Sequence, residues 1–373
     1  MAATGLAMLF HDRLKLAGTL AGVVFAVVLA SQQGGLFLAV LSRNLILVRH
    51  TDADVWILQT GAHTVDPAEP ISERALLAAR AEPEVAWAAP LLMGGARLQL
   101  PDGGSEAVVL VGVELPELRG GPFNVVAGET IALGQPDAVF FEDADREKFG
   151  GLNLGDVLEL NEHRAVVAGF TWGLVPVGPN SYAFTRFDTA REVLHVENHL
   201  VSQVFLKVDA RASAAEVAAR LRRKLPQYQV RTREEMERDT IRYVLFRTPV
   251  GATLLMSTAF ALIVGFVTVA LTMFTSVADK LREFGTLKAL GARDSDLARL
   301  LLAQAFIVAI VGTLIGGAIA SLLLRWLRTP KLAVHLPPWM MLSTLVLMLV
   351  VCLLASALAL WKLRKVEPGM VFR

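Results

Sequence analysis

The sequence is poor in charge, in cysteine and in the common signatures of catalysis. Charged residues make up only 19% of its 373 residues, whereas 54% are hydrophobic and the mean hydropathy is +0.50. This composition is too apolar for an ordinary soluble domain. The single cysteine, Cys352, excludes an intrachain disulfide. The patterns G-x-x-x-x-G-K-[ST], G-x-S-x-G and H-E-x-x-H are absent, so we expect no P-loop for ATP and none of the commonest hydrolase or zinc-protease sites in these residues.

Four long runs without Asp, Glu, Lys or Arg account for the apolar composition. They are Leu16 to Leu41, Thr248 to Ala278, Leu300 to Leu324 and Leu332 to Trp361. Each reaches the roughly 20 residues that a helix needs to cross a bilayer, so we predict four transmembrane helices. A signal peptide is the alternative for the first run. That run continues to Leu41, however, which is longer than a signal sequence requires, and we expect a retained anchor.

Charge is divided unevenly between the two parts of the chain. The stretch from Ser42 to Arg247 has 22 Lys/Arg and 29 Asp/Glu, and the remainder has 14 and 6. No basic face with interleaved aromatics is visible, which argues against a nucleic-acid partner. Basic residues are concentrated before the first run, after the second and after the fourth, so we expect these segments, including both termini, in the cytoplasm. The four runs hold no charge at mid-depth, which disfavours ion-coupled carriers and a polar pore.

The roughly 200 residues between the first and second runs predict a mixed α+β ectodomain, large enough for a core of its own. Alternating or continuous apolar stretches predict short strands, with Asn161 to Arg164 as a hairpin turn. The predicted strands are Val55 to Leu58, Arg97 to Leu100, Val108 to Val113, Ala138 to Phe141, Val157 to Leu160, Ala165 to Phe170, Gln203 to Val208 and Tyr228 to Arg231. Helices are predicted at Ser72 to Arg80, at Asp143 to Phe149, from a capping box at Ser213 to Leu225, and at Thr232 to Phe246, a stalk leading into the second membrane helix.

Two polar clusters of the ectodomain were considered as metal sites. His195 and His199 in HVENH are four residues apart and would share one face of a helix, but no third ligand is evident, so a solvated surface pair is favoured. Glu142, Asp143 and Asp145 in FFEDAD lack the spacing and the glycine of a calcium loop, and a solvated turn is expected there. We therefore predict no metal site and no catalytic residue.

A charged segment between the second and third apolar runs reads KLREFGTLKALGAR, from Lys280 to Arg293. Leu281, Phe284, Leu287 and Leu290 recur every three residues, which predicts a short amphipathic helix. Gly285 within the helix suggests close approach of another chain. From composition alone, an ordinary cytoplasmic loop remains an equal alternative.

The string REFGTLKALGA resembles the signature between the second and third membrane helices of FtsX-like permeases, the membrane subunits of MacB-type ABC transporters. The chain is similar to the DevC-like subgroup over Leu16 to Phe37, Asp52 to Trp56 and Thr248 to Gly251, and to MacB-type permeases at Lys148 to Gly150, Leu154 to Asp156 and Arg364 to Pro368. In this family the charged helix docks on the ATPase. The resemblance assigns that coupling role to Lys280, Arg282, Glu283, Phe284, Gly285, Lys288, Leu290, Gly291 and Ala292.

The resemblance also implies a domain plan and a set of partners. The plan is a cytoplasmic N-terminus with helix 1 (1–41), a periplasmic ectodomain with its stalk (42–247), helix 2 (248–278), the coupling helix and loop (279–298), helix 3 (299–324), a short external loop (325–338), helix 4 (339–361) and a cytoplasmic tail (362–373). The partners are a separate ABC ATPase that binds ATP, a second permease subunit forming a homodimer, a periplasmic adaptor, an outer-membrane channel and the bilayer. The permease itself would hold no cofactor.

Several functions share this architecture. We favour a non-catalytic subunit of an inner-membrane exporter that transmits movement to the periplasm and exports a lipidic or amphipathic substrate. An FtsX-like regulator that relays ATPase state to an extracellular cell-wall hydrolase, and a lipoprotein-release permease, are the alternatives. In the third run, Gly312, Gly316 and Gly317, with Ala309 and Ala320, form a small-residue face suited to close helix packing, either within the subunit or across a dimer.

Overall fold

A computed structural model describes residues 13–65, 69–100, 103–174, 181–279, 294–326 and 337–364. They fall into two units, a membrane unit of residues 1–39 and 249–373 and an ectodomain of residues 40–248. The helices in chain order are α1 (Arg13–Asn44), α2 (Ile46–His50), α3 (Arg74–Arg80), α4 (Phe187–Val193), α5 (Ala214–Lys224), α6 (Arg233–Arg247), α7 (Pro249–Asp279), α8 (Asp294–Trp326) and α9 (Pro338–Arg364). Short 3₁₀ helices occupy Thr130–Gly134 and Asp143–Asp145.

In the residues that the structure describes, the membrane unit consists of the four predicted helices. Stretches long and apolar enough to cross a bilayer are Leu16–Asn44 in α1, Pro249–Thr272 in α7, Leu302–Trp326 in α8 and Pro338–Ala357 in α9. Pro249 and Pro338 each begin a helix, where the missing N–H of proline costs nothing. Apolar and small side chains form the core, among them Val23, Val27, Val308, Met348 and Cys352. These helices, with a mixed α and β domain between the first and the second, confirm the predicted fold class.

The ectodomain is built on one mixed sheet. Its strands are β1 (Val55–Gln59), β2 (Ile71–Ser72), β3 (Val85–Gln99), β4 (Ser105–Val113), β5 (Val125–Gly128), β6 (Ala138–Glu142), β7 (Val157–Leu160), β8 (His163–Thr171), β9 (Ser181–Arg186), β10 (Leu200–Val201), β11 (Gln203–Val208) and β12 (Tyr228–Thr232). The order across the sheet is β12-β1-β11-β3-β4-β9-β6-β8-β5, with β7 paired to β3 and β8, while β2 and β10 form a separate pair. The β4–β9 and β6–β8 pairs are parallel and the remaining pairs are antiparallel.

Both faces of this sheet are buried near β1. Val55 and Ile57 belong to a core with Ala75 and Leu76 of α3 and Val217 and Leu221 of α5. Trp56 and Leu58, which alternate with them along the strand, belong to a second core that includes Leu47 and Val48 of α2 and Met236 of α6. Strand β1 therefore shares one core with α2, where the chain enters the ectodomain, and with α6, where the chain leaves it.

Several sequence predictions of local structure are wrong. The helix predicted from Asp143 to Phe149 is a three-residue 3₁₀ helix, because the side chains of Glu142 and Asp145 turn inward to bond other parts of the fold. Ser213 is the N-cap of α5, but its side chain makes no capping bond. His195 and His199 share no helix face, since α4 ends at Val193 and His195 has a φ of 52°.

Candidate functional site

The entry and the exit of the ectodomain lie side by side. Strand β1, which follows α2, pairs antiparallel with β12, which precedes α6, with Val55 opposite Thr232. The backbone N–H of Arg233 donates to the carbonyl of Asp54 at 2.8 Å, which extends this pairing into the first residue of α6. A relative displacement of the two chain connections therefore acts directly on neighbouring strands of the sheet.

Arg233 binds the two connections together. Its Nε and Nη2 donate to the carbonyl of Val48 at 3.3 and 3.0 Å, and its Nη2 also donates to the carbonyl of Arg49 at 3.0 Å. These carbonyls belong to the last turn of α2, where a cation is favourable and backbone acceptors lack partners. Arg49 in turn lies 3.5 Å from a carboxylate oxygen of Glu237 in α6. We call Arg233, the Val48 and Arg49 carbonyls, and the Arg49–Glu237 pair the α2–α6 clamp.

Helix α6 is held along most of its length by the ectodomain. Thr232 and Glu235 form a capping box at its start, and Glu235 also accepts from Arg222 of α5. Further along, Thr240 donates to the carbonyl of His63 at 3.2 Å, and the ring of Tyr243 stacks on the ring of His63 at 4.9 Å. Helix α6 is therefore fixed to the ectodomain at several points along its length.

A lysine joins the start of β1 to the neighbouring strand β11. The Lys207 Nζ donates to Asp52 at 3.0 Å and to Asp54 at 3.2 Å, and the hydrogen bond to Asp52 is the main cause that raises the lysine pKa. The other carboxylate oxygen of Asp54 accepts from the N–H of Val208 at 3.0 Å. The Asp52 to Trp56 motif thus anchors the turn between α2 and the sheet.

Two acids of FFEDAD are buried, not solvated as the sequence suggested. The Glu142 carboxylate accepts from the N–H groups of Gly173 at 2.6 Å and Leu174 at 3.0 Å and from the hydroxyl of Thr171 at 3.0 Å. Burial raises the pKa of Glu142, and the two N–H bonds oppose that rise. Asp145 accepts from the Ser181 hydroxyl and lies close enough to Arg43 for electrostatic attraction. The Glu142 and Asp145 carboxylates therefore act as hydrogen-bond acceptors inside the fold.

In the membrane unit, glycines mark close approach between helices. A Cβ built on Gly312 would lie 2.5 Å from Cγ1 of Val23, and one on Gly316 would lie 2.8 Å from Cβ of Val27, both on α1. A Cβ on Gly317 would lie 2.9 Å from the Met341 methyl group of α9. The first two glycines therefore face α1 of the same chain, and the third faces α9.

The predicted coupling helix lies outside the described residues. This applies to Lys280, Arg282, Glu283, Phe284, Gly285, Lys288, Leu290, Gly291 and Ala292, and their role stays a prediction. Within the described part of the chain, no group of three or more His, Cys, Asp or Glu side chains is arranged to hold a metal ion.

Sequence reasoning missed the α2–α6 clamp. Arg233 and Val48 are 185 residues apart, and no local pattern links them. One signal was available, since Thr232 and Glu235 have the T-x-x-E spacing of a capping box immediately before the stalk helix.

Comparisons with known proteins place both units in described families. Residues 16–224, more than half of the chain, match the family model of the MacB-like periplasmic core domain. Residues 255–368 match the family model of the FtsX-like permease C-terminal domain. The macrolide export ATP-binding/permease protein MacB of Bordetella avium (strain 197N) is 27% identical over 218 residues, or 55% of this chain and 33% of that protein. The protein of the same name from Shewanella oneidensis is 39% identical over 87 residues, or 23% of this chain and 13% of that protein.

The chain thus spans at most about a third of the length of these relatives. Among solved structures, the periplasmic region of MacB from Actinobacillus actinomycetemcomitans is similar with a TM-score of 0.40 and 12% identity, over 55% of this chain and 97% of that one. The extracellular domain of the noncanonic ABC-type transporter YknZ from Gram-positive bacteria is similar with a TM-score of 0.36 and 14% identity, over 48% of this chain and 98% of that one. The two family matches decide the assignment: the chain belongs to the MacB-type, FtsX-like ABC permeases, multi-pass proteins of the inner membrane.

Proposed function

We propose that this chain is the permease subunit of an ABC exporter that works by mechanotransmission. ATP-driven movement of the membrane helices would be passed to the ectodomain and used there. The observation that carries the proposal is the α2–α6 clamp, because Arg233 joins the residues that follow α1 to the residues that precede α7. The two connections to the membrane helices, α2 and α6, are bonded to each other and lead into the paired strands β1 and β12. A movement of either connection would therefore reach the same part of the sheet.

The proposed assembly follows the family pattern. A separate ABC ATPase binds ATP and docks on the segment that contains Glu283 and Gly285, this chain binds no cofactor, and both termini lie in the cytoplasm. Two permease subunits pair, and a periplasmic adaptor with an outer-membrane channel completes the route, as in DevC-like systems. The absence of Asp, Glu, Lys and Arg from the middle of the four apolar runs supports a lipidic or amphipathic substrate that does not cross through a polar pore.

The test is a substrate-independent measurement of coupling. The full chain is reconstituted in nanodiscs with the ATPase that co-purifies with it, and amide hydrogen exchange in α2, β1, β12 and α6 is compared with and without ATP. We expect ATP to change exchange in the wild type. A flexible glycine linker inserted after Arg242 should abolish that change while ATP hydrolysis continues. A linker variant whose ATP response equals that of the wild type would contradict mechanotransmission.

Arg233→Ala provides a finer test of the clamp. It removes three hydrogen bonds to the end of α2 and should weaken the ATP-dependent response, with a coupling loss of about 1–3 kcal/mol. Arg238→Ala, an exposed arginine one turn further along α6, is the matched control and should leave the response intact.

Co-purified partners separate the exporter from the other functions that share the architecture. An adaptor and an outer-membrane channel support export. An extracellular cell-wall hydrolase supports the regulator, and a soluble lipoprotein carrier supports lipoprotein release.

A further inference from the structure

Two histidines from distant parts of the chain meet on the ectodomain. His163 is the first residue of β8, and His195 lies two residues beyond the end of α4. Their ring centroids are 5.7 Å apart and the ring planes are inclined by 60°. His195 belongs to the HVENH motif, but its neighbour in space is His163 and not His199. Neither ring takes part in the transmission described above.

The separation of the rings suits a shared metal ion. A Zn–N bond of about 2.0–2.1 Å and a tetrahedral angle place the centroids of two ligating imidazoles about 5.2 Å apart. The observed 5.7 Å differs from this by about half an ångström.

A backbone carbonyl selects the tautomer of His163 that a metal requires. The Nδ1 atom of His163 lies 3.0 Å from the carbonyl oxygen of Asn161. A carbonyl can only accept, so Nδ1 carries the proton and Nε2 keeps its lone pair. Metal-binding histidines commonly donate their other ring N–H to a carbonyl or carboxylate, which holds the ring in place.

Asn161 also holds the two histidine-bearing segments together. Its side-chain oxygen accepts from the N–H of Arg97 at 2.8 Å, and its side-chain nitrogen donates to the carbonyl of Val193 at 3.1 Å. The first bond fixes the turn before His163, and the second fixes the end of α4 before His195. His195 itself has a φ of 52°, a left-handed conformation that is uncommon for residues other than glycine and is often found at functional sites.

We propose that His163 and His195 bind a divalent transition-metal ion, Zn²⁺ or Cu²⁺, on the ectodomain. Imidazole nitrogens select these ions over Mg²⁺ and Ca²⁺. With two protein nitrogens, water completes the coordination, so the ion exchanges readily and does not form a closed structural centre. Glu162 and Glu192, both exposed, flank the pair along the chain and add negative charge. A bound ion would brace the β7–β8 turn against the end of α4.

Metal binding is tested on the full chain in nanodiscs after removal of any affinity tag. Zn²⁺ is titrated by calorimetry against empty nanodiscs, and the Cu²⁺ complex is examined by electron paramagnetic resonance for coupling to two nitrogens. We expect one site per chain. Its affinity should fall in His163→Phe, which keeps an aromatic ring, and in His195→Asn, which tolerates the left-handed backbone. Each variant should weaken binding about tenfold or more, at least as much as loss of a supporting hydrogen bond does.

His199→Ala is the matched control, since His199 lies in the same motif but faces Glu197 at 3.5 Å. It should bind as the wild type does. Asn161→Gly, which suits the φ of 44° at that position but loses both side-chain bonds, should weaken binding while the two ligands remain. The proposal is overturned if no saturable binding occurs, if His163→Phe and His195→Asn bind like the wild type, or if His199→Ala is as weak as they are.

Discussion

The membrane unit and the ectodomain use polar side chains in opposite ways. In the membrane unit, three hydroxyl groups donate to a backbone carbonyl one turn back in their own helix: Thr258 to Leu254 at 2.8 Å, Ser321 to Gly317 at 2.7 Å and Thr344 to Met340 at 2.9 Å. In the ectodomain, polar side chains cross between elements. Glu142 bonds residues about thirty positions away, and Ser202 bonds both backbone groups of Met93.

This difference follows from the surroundings in which each unit must satisfy its polar groups. Helices in a bilayer satisfy their backbones internally and associate through close packing, so glycine and alanine decide where they meet. A sheet with both faces buried must satisfy loop backbones and loop side chains as well, because a buried polar group without a partner costs about 1–3 kcal/mol. Shape therefore specifies the membrane unit, whereas shape and hydrogen bonding together specify the ectodomain.

The largest expected effect is overpacking in the membrane unit. Gly316→Val places a branched side chain where Cβ alone would lie 2.8 Å from Val27 and 3.1 Å from the carbonyl oxygen of Val24. Helices α1 and α8 must then separate, and we expect a loss of about 3 kcal/mol in the free energy of unfolding. Unfolding of the full chain in mixed micelles measures it.

Gly18→Val is the control for this change, because no atom lies within 4 Å of the position of its Cβ. It should cost little, because the position is open and valine has a higher helix propensity than glycine. Equal losses at Gly18 and Gly316 would show that close approach does not specify the membrane unit.

The matching test in the ectodomain removes a polar anchor without changing its size. Glu142→Gln puts an amide N–H group where Gly173, Leu174 and Thr171 already supply donors, so at least one donor loses its acceptor. We expect a loss of about 2 kcal/mol, with faster amide exchange at residues 171–174. Asp143→Asn, one residue further along and partly exposed, is the control and should change stability little. If both variants unfold like the wild type, the hydrogen bonds of Glu142 do not contribute to the stability of the ectodomain.

Buried carboxylates in the ectodomain also predict opposite responses to pH. Hydrogen bonds from Lys224 and then Arg220 lower the pKa of Glu82 below its usual 4.5, so its stabilising contribution is present above that pH and is lost on acidification through the lowered pKa. Burial raises the pKa of Glu142 above 4.5, so its contribution is present below that pH and is lost as pH rises through the raised value.

Stability against pH separates these two groups. Glu82→Gln should flatten the curve of stability against pH on the acid side of 4.5, and Glu142→Gln should flatten it on the neutral side. The measurement is the denaturation midpoint of the ectodomain signal, followed by tryptophan fluorescence in the full chain. Curves that keep the wild-type shape in both variants would mean that these carboxylates do not control the pH response.

Much of this fold could be predicted because its signals are local. The four membrane helices follow from apolar length alone, and the strand from Gln203 to Val208, buried except at Lys207, has the predicted bounds. The hairpin turn predicted at Asn161 to Arg164 is present but shorter: Asn161 and Glu162 form it with positive φ values, and His163 and Arg164 already belong to β8.

The elements that were missed depend on distant pairing. Strand β3 was predicted only at its end, from Arg97. It passes through Pro90, Gly94 and Gly95, which by local rules end a strand, because β11 pairs with its first half (Val85 to Leu91) and β4 with its second half (Leu91 to Gln99). Strand β9 lies between β4 and β6 and is specified by those neighbours. The α2–α6 clamp and the His163–His195 pair could not be predicted from the sequence for the same reason. Each joins residues that are distant in the chain and that only the sheet order brings together.

The smallest expected effect concerns two helix starts in the ectodomain that look alike in sequence. Ser213 and Thr232 each stand three residues before a glutamate, but only Thr232 makes the reciprocal bonds of a capping box, accepting from the N–H of Glu235 at 3.3 Å. Thr232→Ala should therefore cost about 1 kcal/mol, and Ser213→Ala distinctly less. Because α6 carries the stalk, amide exchange should quicken at its first turn in Thr232→Ala, whereas the start of α5 should change little in Ser213→Ala. Equal losses of stability in Thr232→Ala and Ser213→Ala would mean that side-chain capping does not distinguish α6 from α5.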